Sequence, residues 1–244
     1  MGNETLALLC LGLVVVAFLY SSVGHAGASG YIATMSLFGL AANVIKPTAL
    51  VLNIIVALVA SWQFWRAGHF RWRLFWPFAL ASIPFAFLGG RFNLPGRTFK
   101  ILVGVVLLLS AVRFFLDFSR DGEFTAPGKP ASFLSGGLIG LLSGLTGTGG
   151  GIFLTPLMIF MRWAETKAAA AVSAGFILVN SLAGLAGNYS KTGAIPGLAL
   201  PMAVSVAVGG ITGSYLGSQR FSSGFIRKLL AVVLVIAGLK LIFT

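Results

Sequence analysis

The segment Leu141-Leu142-Ser143-Gly144-Leu145-Thr146-Gly147-Thr148-Gly149-Gly150-Gly151-Ile152-Phe153-Leu154-Thr155-Pro156 interrupts an otherwise continuous apolar pattern. Five of the eight residues 144–151 are glycine. Glycine enters left-handed or extended backbone without steric cost, so a helix arriving along 132–146 can unwind here and a new one can begin at about Gly150. A helix start carries N–H groups with no intrahelical partner and the positive end of the helix dipole. Set in apolar sequence, that arrangement predicts an anion site that needs no Lys or Arg. Gly147, Gly149, Gly150 and Gly151 would supply bare backbone, and Thr146 and Thr148 would add hydroxyl donors. The competing reading is close packing, because small residues let membrane helices approach one another.

The first half of the chain carries a counterpart, Ser21-Ser22-Val23-Gly24-His25-Ala26-Gly27-Ala28-Ser29-Gly30-Tyr31. It has fewer glycines and more side-chain donors. Gly24, Gly27 and Gly30 would shape the break, and Ser22, His25 and Ser29 would face an anion. Two further matches keep the same order: Lys46-Pro47-Thr48-Ala49 with Lys167-Ala168-Ala169-Ala170, and Lys100-Ile101-Leu102 with Lys228-Leu229-Leu230. An ordered series of this kind predicts a duplication, with a first transmembrane repeat over 1–118, a linker over 119–131 and a second repeat over 132–244. The linker SRDGEFTAPGKPA holds two of the five acidic residues, together with two prolines and two glycines. Duplicated halves with interrupted helices place a substrate site where the breaks meet near the membrane midplane. Five apolar segments in each half favour inverted copies.

Composition sets the environment. Hydrophobic residues make up 57% of the chain and charged residues 9%, with a mean hydropathy of +0.97. A soluble domain carries roughly 25% charged residues, so most of this surface is expected to face lipid. Apolar runs lie at about 5–22, 30–43, 47–65, 72–90, 98–118, 132–146, 150–161, 167–188, 194–217 and 225–243. The fold class expected is therefore all-α: a polytopic membrane protein of two homologous repeats, with about eight to ten helical segments. The leader Met1–Thr5 carries Glu4 and no base, so the first run reads as a retained span rather than a cleaved signal. The formal charge of +12 sits in short loops, where bases anchor spans at anionic lipid. That distribution makes the lipid bilayer a partner and nucleic acid none. Trp62, Trp65, Trp72 and Trp76 bracket one such loop as an aromatic belt.

Polar residues inside apolar runs are the remaining candidates. His25 is the one proton-carrying candidate at membrane depth, because no carboxylate falls in the centre of a span. Asn53, Ser173 and Asn180 lie in the long helices that follow each break and either face a cavity or bond a neighbouring helix. Lys46 and Lys167 either guide anions or anchor helix ends. Cys10 is alone in an apolar run. With no phosphate-binding loop, no catalytic set and no metal-ligand cluster, the expectation is a non-enzyme without cofactor or metal.

The halves, and above all Gly147-Thr148-Gly149-Gly150-Gly151-Ile152-Phe153-Leu154-Thr155-Pro156-Leu157, resemble the TauE/SafE family of sulfite exporters along essentially the whole chain. The first half departs from the motif, with Ala28-Ser29 in place of glycines and Ser36 where the proline would be. The resemblance implies a bacterial or archaeal inner-membrane, multi-pass secondary carrier of sulfite, organosulfonates or related sulfur-containing anions. A passive anion channel and a non-transporting membrane scaffold are the alternatives, and a second copy of the chain is a partner the sequence allows.

Overall fold

The computed structural model describes residues 3–92, 124–193 and 199–243, together with 108, 112 and 197. The expected apolar segment 98–118, apart from 108 and 112, and the first part of the linker lie outside the described residues. Nine α-helices are described: α1 Asn3–Ser22, α2 Ala28–Leu37, α3 Ala42–Arg66, α4 Trp72–Arg91, α5 Lys129–Thr146, α6 Gly151–Phe160, α7 Thr166–Thr192, α8 Ala199–Tyr215 and α9 Ser223–Phe243. A π-helical turn, Leu216–Arg220, extends α8. There is no strand among the described residues, as expected where backbone polar groups must be satisfied within each segment.

Among the described residues, four helices are long and apolar enough to cross a bilayer, within Glu4–Ser22, Asn43–Arg66, Trp72–Arg91 and Thr166–Thr192. The distribution of polarity fits lipid rather than water. Leu8, Leu11, Leu58, Leu80, Leu134 and Val204 are exposed, while Ser21, Ser22, Asn53, Ser173, Asn180 and Ser181 are buried. Trp62, Trp65, Trp72 and Trp76 are all exposed around the α3–α4 connection, where amphipathic rings suit a membrane–water boundary.

Helix pairing follows the glycines. Helix α1 packs along α8, α5 along α4, and α7 lies against both α3 and α4. Gly136, Gly140 and Gly144 recur every fourth residue on α5 and face the backbone of Phe78, Ser82 and Ala86 on α4. A Cβ on Gly136 would stand 2.6 Å from the Phe78 carbonyl oxygen, and one on Gly140 2.6 Å from the Ser82 Cα. Gly209, Gly213 and Gly217 likewise sit on the backbone of Val14, Phe18 and Ser22. These contacts are the small-residue packing of membrane helices, and they fix where the two interruptions lie.

The short helices stand beside the long ones. Helices α2 and α6 have 10 residues each, about 15 Å of rise, which is half a hydrocarbon core. Each follows an interruption, α2 after α1 and α6 after α5, and packs on the long helix that comes next, α3 or α7. The end of the linker differs from the sequence reading. Lys129–Ala131, expected in the linker, is already the first turn of α5, with Pro130 among its leading positions, where a missing N–H costs nothing.

Candidate functional site

Both interruptions use left-handed backbone. Gly24 and Gly27 have φ of +78° and +101° in the first, and Gly147, Gly149 and Gly150 have +75°, +78° and +81° in the second. Any other L-residue would be strained there by about 1–2 kcal/mol. Gly27 caps α2 and Gly150 caps α6, and neither brings a side chain to the helix start. The N–H groups of Gly149, Gly150, Gly151 and Ile152 donate to nothing among the described residues, and the same holds for Ala26, Gly27, Ala28 and Gly30. These are the orphan donors of two helix starts.

The two interruptions meet. His25 from the first reaches α6, its Nε2 lying 2.9 Å from Thr155 Oγ1, and Thr155 donates to Ser173 Oγ on α7 at 2.7 Å. The His25 ring also borders the start of α6, with Cδ2 3.5 Å from where a Cβ on Gly151 would lie. From α3, the Asn53 amide donates to the Thr148 carbonyl and to Ser181 Oγ, both at 3.3 Å. Its nitrogen is 2.7 Å from the Cβ position of Gly149. From α5, the Ser143 Cβ stands 3.2 Å from the corresponding position on Gly150. Side chains from the first interruption, α3, α5, α6 and α7 thus converge on Gly149–Gly151.

This cluster is polar and buried yet incompletely paired. His25 Nδ1, Asn53 Oδ1 and Ser143 Oγ have no hydrogen-bond partner among the described residues, and neither does Asn180 Oδ1 on the same stretch of α7. Buried polar atoms are nearly always bonded, and leaving one unmet costs about 1–3 kcal/mol. Several such atoms lie on the elements that converge on Gly149–Gly151, whose amide N–H groups are likewise without partners among the described residues. The polar side chains of the cluster are neutral amides, hydroxyls and one imidazole, and Ile139, Phe176 and Ile177 complete the contacts with the glycines.

The remaining sequence candidates have other duties. Ser22 bonds its own helix at Phe18 O, 2.7 Å away, and Gly24 abuts the backbone of Ala170. Gly27 lies beside the Tyr31 ring, and Gly30 faces Val16 and Tyr20. Ser29 donates to the Tyr20 hydroxyl at 3.1 Å, and the Tyr31 hydroxyl donates to the Ala26 carbonyl. Thr146 and Thr148 share a hydrogen bond of 2.8 Å. Gly147 sits against the stem of Lys46. The Lys46 ammonium donates to Phe92 O at 2.9 Å and Gly90 O at 3.4 Å, closing the end of α4. Lys167 does the same with Ser218 O at 3.4 Å, in the π turn that ends α8. Both lysines therefore anchor helix ends, as cations near a C-terminus should.

Of the sequence candidates, then, His25, Asn53, Thr148, Gly149, Gly150, Gly151 and Ser173 come together. Ser143, Thr155 and Ser181 join them without having been singled out. The signal for Ser181 was spacing: Ser173, Ile177 and Ser181 recur every four residues and so form one stripe of α7. The glycines are also packed tightly, since Ile177 touches both Gly149 and Gly151. Conformation and close approach are required at the same positions.

The family model described as sulfite exporter TauE/SafE matches residues 8–241. The probable membrane transporter protein y4hK of Sinorhizobium fredii is 38% identical, with all of both chains covered. The probable membrane transporter protein YjnA of Bacillus subtilis is 27% identical over 98% of this chain and all of its own length. The probable membrane transporter protein MJ0441 of Methanocaldococcus jannaschii is 26% identical over 79% of this chain and 76% of its own. No solved structure matches significantly. With nearly its whole length matched by one family and by relatives that carry the name of membrane transporter, this chain belongs to the TauE/SafE family.

Proposed function

We propose that the protein is a multi-pass inner-membrane secondary carrier of small anions, with sulfite, organosulfonates or related sulfur-containing anions as its substrate class. The observation that carries the reading is the convergence of two interrupted helices on one buried cluster. There, the N–H groups of Gly149–Ile152 and polar atoms of His25, Asn53 and Ser143 lack partners among the described residues. A helix start with free N–H groups binds oxyanions through directed donors and dipole, and each hydrogen bond to a charge is worth about 1.5–3 kcal/mol. Neutral donors hold an anion without the full attraction of a fixed cation, which suits a site that must also release. The family description supplies the sulfur chemistry.

In this reading the two halves are copies. Matching lengths of α2 with α6, and the reciprocal pairing of α1 with α8 and of α5 with α4, support it. The test is a thermal-shift panel on detergent-purified protein with sulfite, thiosulfate, sulfate, sulfoacetate, taurine and simple carboxylates. Saturable counterflow of the stabilising anions in proteoliposomes should accompany the shift. Stabilisation by none of these anions refutes the assignment, and ohmic current in place of saturable counterflow refutes the carrier.

A further inference from the structure

We propose that His25 takes up a proton together with the anion, so that the cargo moves as an anion plus H⁺; the inference rests on the anion site argued above. Thr155 gives its one hydroxyl proton to Ser173 at 2.7 Å. Its oxygen can then only accept from His25, which fixes the proton of the neutral ring on Nε2 at 2.9 Å. Nδ1 is left as a bare lone pair, buried and without a partner among the described residues. A proton added there makes an imidazolium with one N–H engaged by Thr155 and the other available to a ligand, while the Gly151 backbone also stands within reach of the ring. His25 is 2% exposed, and a cation so placed is unfavourable unless an opposite charge stands beside it.

Among the described residues the surroundings offer no such charge: α3 carries only Lys46 and Arg66, towards its two ends, and α8 carries no charged residue. Helices α1 and α2 contribute Tyr20 and Tyr31, whose hydroxyls are engaged locally. Helix α6, Gly151–Phe160, has no ionisable residue. Helix α7 carries Lys167 and Lys191 only in its end turns, with Glu165 as its N-cap. Helix α9, which meets the first interruption through Val23, has Arg227 and Lys228 in its second turn and Lys240 near its far end. With no carboxylate beside the ring among the described residues, the counter-charge would be an anion bound at Gly149–Ile152, where the His25 ring borders Gly151 through Cδ2. Anion and proton then each raise the affinity for the other by the same factor.

The experiment is a binding isotherm on purified full-length protein across pH 5–9, with methanesulfonate and thiosulfate as probes. Both are strong-acid anions that do not titrate in this range. The expected result is an affinity that falls up to tenfold for each pH unit on the alkaline side, the slope for one coupled proton. His25→Gln should give a pH-independent isotherm. Wild-type binding that is flat with pH overturns the coupling while leaving the anion site in place, and this measurement needs no variant to fold. A slope that persists in His25→Gln assigns the proton elsewhere and also overturns the inference. Binding of neither probe by the wild type removes the site itself, and the coupling with it.

Discussion

Gly149→Ala separates backbone conformation from site geometry. Gly149 has a φ of +78°, and a Cβ there would lie 2.6 Å from Ile177 Cγ2, 2.7 Å from the Asn53 amide nitrogen and 3.0 Å from Ser181 Oγ. The left-handed backbone alone costs an alanine about 1–2 kcal/mol. The contact also pushes the Asn53 amide from its bonds to Thr148 O and Ser181 Oγ, at about 0.5–1.5 kcal/mol each. Together these amount to about 2–5 kcal/mol. Gly39 is the control, because its φ is +75° but nothing lies within 4 Å of its Cβ position. Gly39→Ala should show the backbone cost only. In thermal unfolding, Gly149→Ala should be the less stable of the two. In proteoliposomes it alone should lose anion flux and anion-induced stabilisation. Wild-type flux and stabilisation in Gly149→Ala would refute the reasoning, as would an equally deep loss in Gly39→Ala.

Three further outcomes are expected. Asn53→Asp places a carboxylate beside the amide N–H groups of the second interruption, so it should occupy the site itself and reduce anion binding by well over tenfold, read by thermal shift against the neutral Asn53→Leu. Thr155→Val keeps the shape but leaves the buried His25 Nε2–H without its acceptor, and unfolding measurements should show a loss of about 1–3 kcal/mol. His69, in the α3–α4 connection, is held below its ordinary pKa of 6.5, chiefly by burial and further by Lys167 and Arg71, against Glu165 and its bond to Ser218. Its neutral form is thus favoured by folding, and its contribution to stability is complete above the unfolded value and lost as pH falls through the lower folded one. The stability difference between wild type and His69→Gln should therefore shrink below about pH 6.

The interruptions were legible because their cause is local. Left-handed backbone demands glycine, and Gly147, Gly149 and Gly150 stand where the structure uses it. The length of α6 followed from the same signal, and its start at Gly151 falls one residue from the expected position. Helix α2 begins at Ala28 rather than at 30 because Gly27 already provides the left-handed cap. What the chain does not display locally is convergence. Nothing in the sequence around Ser143 shows that it stands against Gly150. Lys46 and Lys167 were readable as anion guides or as anchors, and only the position of the carbonyls at Gly90, Phe92 and Ser218 decides for anchoring. The close packing read from the glycines is present at the same residues proposed for the site: Gly149 touches Ile177 and the Asn53 amide at once.

That sharing sets the polar cluster apart from the glycine seams. The seams between α4 and α5 and between α1 and α8 press backbone on backbone, with Gly136 against Phe78 and Gly213 against Phe18. Packed interfaces of this density resist continuous deformation. The links across the polar cluster are fewer and looser: one His25–Thr155 bond of 2.9 Å and two Asn53 bonds of 3.3 Å, which tie residues 95 to 130 positions apart. Parting α3 and the first interruption from α6 and α7 breaks those three bonds and the contact of Gly24 with the Ala170 backbone, while the α4–α5 and α1–α8 seams stay closed. An anion that engages the free N–H groups of Gly149–Ile152 changes the partners available to the same side chains. On the proposed reading, the contacts that would recognise a substrate are also the ones that would have to yield for the two faces of the cluster to separate, and in a carrier those two requirements belong together.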